Sequence, residues 1–246
     1  MMAFAQAVLR FQHGKDLDPG VAAEKAIEIN PQLAEPHAVL AQLHAEQGKQ
    51  EEANREIDEA LRLDPESWEV NREAARIKFR QGRMRDAIPL YEKAGSLVPT
   101  DWHSPMMLTT CYQSIGDEDA MRRCARSTIE RAEKAVSKDP ANAQPLAAGA
   151  NALAILGEKE RARDWIDRAL LLDPDNTLTR YNLACALALR LNDRQRALEV
   201  MEPYFEQEVS TAQIKHLEVD PDMDPIRDDP GFKRRLAAAK ERLGLV

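Results

Sequence analysis

The chain has 246 residues, of which 43% are hydrophobic, 5% aromatic and 31% charged, and its formal net charge is −8. That is enough apolar side chain to build a core in one long array or in one or two domains, while the acidic balance argues against a general nucleic-acid binder, which needs a basic footprint. No apolar run approaches the roughly 20 residues of a membrane span, and three cysteines, Cys111, Cys124 and Cys185, without metal-like spacing fit reduced thiols in a cytoplasm.

In chain order, Met1 to Phe11 is mildly apolar but has no basic segment before it and no cleavage signature, so it reads as a helix rather than a signal peptide. From there a fixed period governs the chain. Glycines fall at Gly14, Gly48, Gly82, Gly116 and Gly157, spaced by 34, 34, 34 and 41 residues. Prolines fall at Pro31, Pro65, Pro99, Pro140 and Pro174, spaced by 34, 34, 41 and 34. Each glycine supplies the left-handed conformation that ends a first helix. Each proline, lacking an N–H, stops a second helix. In the first unit Asp18 is expected to cap a second helix that begins at Pro19.

Small residues recur between these markers. They are Ala41, Ala75, Ala150 and Ala184 in the first helices. In the second helices they are Ala53, Ala87, Ala162 and Ala197, followed by Ala60, Ala94, Ala135 and Ala169. Small side chains let the two helices of a hairpin approach closely, while Leu40, Leu108, Leu183, Ile57, Tyr91 and Ile166 fill the seams between hairpins.

Small residues in both helices, a glycine turn and a closing proline together resemble the tetratricopeptide repeat. The expected fold is all-α: a right-handed α-α superhelix of about six hairpins plus a C-terminal capping helix. The array covers residues 1–205, in units of approximately 1–33, 34–67, 68–101, 102–142, 143–176 and 177–205, and residues 206–246 form the capping segment. The sequence departs from the family pattern where His37, Asn71, Pro105 and Leu146 replace the large aromatic usual early in the first helix, and where Met121 takes a small position. The sixth unit has one extra residue, assigned to the turn Leu191-Asn192-Asp193, and lacks a closing proline.

The fourth unit is seven residues longer. Seven residues are close to two helical turns, about 10 Å of rise, and leave the buried face rotated by only about 20°. The spacing therefore predicts one long helix over 117–138, with Arg122, Arg123, Arg126, Arg131, Lys134 and Lys138 on a solvated outer face. After the last hairpin, a terminal repeat needs a lid for its unpaired apolar face, and a charged helix is expected from about Phe232 to Leu243, with Asp228 and Asp229 at its start. The run from Tyr181 to Ala186, followed by Asp220-Pro221-Asp222-Met223-Asp224-Pro225, is similar to the end of tetratricopeptide regions in bacterial multidomain signalling proteins: nucleotide cyclases, winged-helix regulators and serine/threonine kinases. That resemblance implies an alternative role, control of an output domain outside this chain.

Catalytic and cofactor signatures are absent: no GxGxxG, P-loop, GxSxG or HExxH occurs. The five histidines are scattered, and His37 and His44 fall at inward packing positions of one helix. Asp220, Asp222 and Asp224 imitate a calcium loop, but Pro225 stands where its glycine belongs and Gly231 where its bidentate acid belongs. The reading is a non-enzyme without cofactor or metal, whose partner is a protein or peptide and neither nucleic acid nor membrane.

In this repeat family the first helices line a concave face that takes an extended or helical segment. Residues four apart share that face, which selects Ala38 and Gln42, then Arg72, Arg76 and Phe79, then Met106, Thr110 and Gln113, then Ala147 and Asn151, then Tyr181 and Cys185. The third unit stands out in charge. Trp68 to Pro99 holds seven basic and four acidic residues, a net of +3, whereas Ala34 to Ser67 holds three and nine, a net of −6. Arg72 and Arg76 could grip a carboxylate in bidentate fashion, which points to an acidic peptide, or could pair with Glu69 and Glu73 on a solvated face.

Overall fold

The computed structural model describes residues 18–206, 214, 217–218 and 223–245. Among these residues it is all helix, with no strand, and no helix is long and apolar enough to cross a membrane. The chain divides into two compact units, Met1–Cys124 and Ala125–Val246. The expected helix over Met1–Phe11 and the turn at Gly14 lie outside the described residues, as do His216, Asp220, Pro221 and Asp222.

In the first unit, helix α1 (Pro19–Ile29) begins as its sequence requires: Asp18 accepts hydrogen bonds from the backbone N–H of Gly20 at 2.8 Å and Val21 at 3.3 Å. Two hairpins follow, α2 (Ala34–Glu46) with α3 (Gln50–Leu63) and α4 (Trp68–Arg80) with α5 (Met84–Leu97), and then α6 (His103–Ile115); α7 (Glu118–Lys138), the longest described helix, begins in this unit and continues past Cys124 into the second. The second unit holds α8 (Ala143–Leu156) with α9 (Lys159–Leu172), and α10 (Thr177–Cys185) running through a π-helical segment (Ala186–Arg190) into α11 (Arg194–Glu206). The short α12 (Asp224–Arg227) and α13 (Pro230–Arg242) follow.

The turns are made as the glycines dictate. Gly48, Gly82, Gly116 and Gly157 all have positive φ, between 72° and 83°. The residue after each glycine donates its N–H back five positions: Lys49 to His44 and Arg83 to Lys78 at 2.9 Å, Asp117 to Tyr112 and Glu158 to Leu153 at 3.0 Å. This satisfies carbonyls that the helix end leaves without partners.

The small positions are the core. Ala41, Ala53, Ala60, Ala75, Ala87 and Ala94 are fully buried in the first unit, and Ala150, Ala162, Ala169, Ala184 and Ala197 in the second. Helix α4 serves two cores: Val70, Ala74 and Ile77 join Ala38, Ala41, Ile57 and Ala60, while Ala75 on another face joins Ala87, Tyr91, Leu108 and Cys111. Leu40, assigned to a seam, is only half-buried.

Two expectations about register are corrected. Ala135 is half-buried, and the buried residue at that step is Thr128, twelve positions after Gly116 as Ala60 is after Gly48 and Ala94 after Gly82. The seven extra residues therefore extend the far end of α7 and leave the spacing counted from the turn at Gly116 intact. The sixth unit's extra residue sits in the first helix and not in its turn. There the N–H of Leu191 reaches back to Ala186 at 3.1 Å, and that of Asp193 reaches six positions to Leu187 at 2.9 Å. Asn192, with φ of 53°, takes the glycine's place five residues before buried Ala197. An inserted residue is absorbed as a π turn, which widens the helix by one residue without moving either flank.

Candidate peptide-binding face

Ser67 starts α4, accepting a hydrogen bond from Val70 N–H at 3.3 Å, and from Trp68 onward every fourth residue shares one face. Trp68, Arg72 and Arg76 follow one another along the helix, each one turn on. The Arg72 guanidinium lies 4.6 Å from the centre of the Trp68 ring. The indole N–H of Trp68 donates to Oδ2 of Asp101 at 3.1 Å. Asp101 is buried, and it also accepts from the backbone N–H of His103 at 2.9 Å and of Ser104 at 3.3 Å, and from the Ser104 hydroxyl. Burial by itself would raise the carboxyl's pKa, but the bonds from Ser104, Trp68 and the backbone together hold it below the usual carboxylate value.

Arg76 is engaged differently. Its Nε and Nη2 donate to Oε1 of Glu73 at 3.2 and 2.8 Å. Glu69, the other acid offered by the sequence, accepts instead from the Ser67 hydroxyl at 3.4 Å. The pairing expected on a solvated face thus holds for Arg76 and fails for Arg72. Tyr91 is fully buried, and neither its hydroxyl nor Nδ1 of His103 has a hydrogen-bond partner among the described residues. Their rings lie 6.5 Å apart. Burial, then the positive charge of Arg72, lowers the basicity of His103, against an opposing pull from Asp101. Burial raises the Tyr91 hydroxyl above its usual range.

The other sequence-derived residues are distributed as follows. Gln42 on α2 is half-buried and donates to Glu46 at 2.9 Å. Phe79 is half-buried against the core of Ala75, Tyr91 and Leu108, so it contributes to packing on α4. On α6, Met106 is half-buried while Thr110 and Gln113 are exposed. In the second unit, Asn151 on α8 is half-buried, and Tyr181 on α10 is half-buried with its ring 6.0 Å from that of Tyr204. Cys185 is buried, and Cys111 is buried with its thiol pushed up to about 12, chiefly by desolvation.

Spacing alone did not find Trp68, Asp101, Tyr91 or His103 as members of this face. Asp101 was detectable as an N-cap candidate before a helix. Its contact with Trp68, 33 residues earlier, requires neighbouring hairpins to be stacked.

Residues 39–101, which run from within α2 to the buried aspartate of this network, match the family model for the tetratricopeptide repeat. Solved structures agree over most of the chain. A thermophilic TPR protein of Thermus thermophilus, TTC0263, superposes with a TM-score of 0.56 at 19% identity, covering 84% of this chain and 98% of that one. The fold is a tetratricopeptide-repeat solenoid. PilF of Pseudomonas aeruginosa matches with a TM-score of 0.55 at 19% identity, over 96% of this chain and 95% of its own. The human IFIT1 dimer with m7Gppp-AAAA gives 0.62 at 18% identity over all of this chain and 55% of that one. No curated protein matches the sequence.

Proposed function

We propose that this tetratricopeptide-repeat chain is a non-catalytic interaction scaffold that takes an acidic peptide or helical segment on its first-helix faces, with α4 at the centre. One observation carries the reading: Arg72 stands on the face, stacked on Trp68, with no carboxylate bonded to it among the described residues. A local excess of positive charge in an acidic protein steers acidic segments toward it. Gln42, Met106, Thr110 and Gln113 supply further side chains on α2 and α6 of this unit, and Asn151 and Tyr181 are the corresponding first-helix positions of the second unit, on α8 and α10. A net charge of −8 weighs against an RNA partner of the kind present in the IFIT1 structure.

The test is a panel of acidic and neutral peptides titrated against wild type and arginine variants. Replacing both Arg72 and Arg76 with alanine is expected to weaken acidic peptides at least tenfold with helix content unchanged, since truncating one partner of a desolvated charge pair costs about 2–5 kcal/mol. Arg72→Ala alone should account for most of that loss, because Arg76 is already committed to Glu73. Unchanged affinity and unchanged salt dependence in the double variant would refute the reading.

A second reading, regulation of an output domain beyond this chain, rests on the run Tyr181 to Ala186 and the Asp-Pro-rich stretch after it. Joining such a domain to the chain and measuring its activity with and without the acidic peptide separates the two.

A further inference from the structure

On α4, an arginine one turn after a tryptophan would ordinarily be free to swing among its acidic neighbours. Here both neighbours are occupied: Glu73 receives Arg76, and Glu69 receives the Ser67 hydroxyl. Arg72 instead lies over the Trp68 ring at 4.6 Å. A guanidinium that meets an aromatic ring through its own face keeps its in-plane N–H groups available, in the fork geometry that matches a carboxylate. The ring is itself fixed, since its N–H is bound to Asp101 at 3.1 Å, and Asp101 is buried and held by Ser104 and two backbone N–H groups. The order of constraint runs from the N-terminus of α6, through Asp101 and Trp68, to Arg72.

We propose that Trp68 and Asp101 are positioning residues that hold the Arg72 guanidinium ready for one planar side-chain carboxylate of the bound segment. The inference rests on the reading of α4 as the binding face and adds two residues to it. Holding the fork in place before binding removes part of the side-chain ordering that an arginine otherwise loses on forming a bidentate pair. Arg76, tied to Glu73, contributes charge to the surroundings and no fork of its own.

Asp101→Asn is the discriminating substitution. Asparagine is as good a helix cap as aspartate, so one amide oxygen can keep the backbone bonds of α6. The other position then presents an N–H₂ donor to the indole N–H, and the anchor of Trp68 is lost. Trp68→Phe removes the same bond from the other side and keeps an aromatic ring. The probe is a fluorescein-labelled peptide of alternating glutamate and glycine, with its glutamine counterpart as control, read by fluorescence anisotropy. Wild type is expected to prefer the glutamate peptide about tenfold or more, in line with a desolvated charge pair. Arg72→Gln should abolish the preference. Asp101→Asn and Trp68→Phe should each weaken the glutamate peptide severalfold, and neither should have any further effect in the Arg72→Gln background. By proton NMR, the Arg72 δ-methylene should be shifted upfield by the Trp68 ring in wild type and return toward its usual position in Asp101→Asn, with the circular dichroism unchanged. If wild type does not distinguish the two peptides, the binding-face reading falls and the positioning role with it. If wild type distinguishes them and Asp101→Asn binds as tightly, or loses as much with Arg72 absent, the positioning role alone is overturned. A missing upfield shift in wild type overturns it as well.

Discussion

At the scale of single residues, Gly149 shows how tightly this fold brings helices together. A Cβ built on Gly149 would lie 2.0 and 2.5 Å from ring carbons of Trp165 on α9. The indole rests directly on the α8 backbone, and both residues are buried. Gly149→Ala is therefore expected to force the ring off its seat, and overpacking of this kind costs about 1–3 kcal/mol. Urea unfolding measures it; an unchanged midpoint would show that Trp165 has room to move. Asn71 is a second case. It stands where the repeat family usually has a large aromatic, yet it is buried and donates 2.8 Å bonds to the carbonyls of Pro65 and Ser67. A polar side chain is tolerated there because it satisfies the carbonyls of the preceding turn. His103 is a third. It faces Tyr91, Trp102, Asp101, Arg72 and Arg76, and burial and the arginines depress its folded pKa below the unfolded value near 6.5. As pH falls below that value the unfolded chain takes up the proton first. The stability contribution of neutral His103 is thus complete above about pH 6.5 and is lost as pH drops toward the folded pKa. Thermal midpoints should fall between about pH 7 and pH 5.5, and His103→Gln should flatten that part of the profile. An identical pH slope in the variant would remove His103 from the account.

At the scale of elements, the informative cases are the two irregular repeats. The long α7 keeps Met121, Ala125, Thr128, Ile129 and Ala132 buried, its last turns lie past Ala132, and on its exposed side Glu130 and Lys134 pair at 2.6 Å in solvent. The π segment handles a single extra residue by the opposite device, absorbing it within the helix. Deleting Leu189, which is exposed within that segment, should convert Ala186–Arg190 to ordinary α-helix and leave Cys185 and Ala197 at their stations. The expected result is an unfolding midpoint equal to or above that of wild type, with unchanged helix content. Loss of a cooperative transition would mean that the segment is needed for packing in the second unit.

For the molecule as a whole, stability in a repeat array is a sum of hairpin terms and neighbour terms, so its ends matter. In the second unit α13 packs on α11, with Phe232 and Phe205 in edge-to-face contact at 5.6 Å and Arg235 paired with Glu202. Asp229 caps α13 through Gly231 and Phe232 at 2.7 and 3.0 Å. Truncation at Asp229 should uncover Phe205 and its neighbours and promote association, since large exposed apolar patches seek partners. Light scattering on the truncated chain checks this. A monomer as stable as the full chain would leave α13 without a capping role.

Sequence alone determined the repeat: its period, the glycine turns at positive φ, the alanines that vanish into the core, the Asp18–Pro19 start and the length of α7. These are local quantities, set by backbone conformation and by which side chains fit between two helices of one hairpin. The third-unit arginines were also legible, from charge and one-turn spacing. Tertiary structure decided what those arginines do. Arg76 is held by Glu73 within its own helix, whereas Arg72 is kept apart by a tryptophan whose anchor, Asp101, comes from the next hairpin. A contact across 33 residues depends on the distance between stacked hairpins, and no pattern of period four records it. The same holds for Thr128 in place of Ala135, for the seat of Trp165 on Gly149, and for the extra residue housed in a π turn: each is a choice between registers of equal local merit, and packing against a neighbour made it.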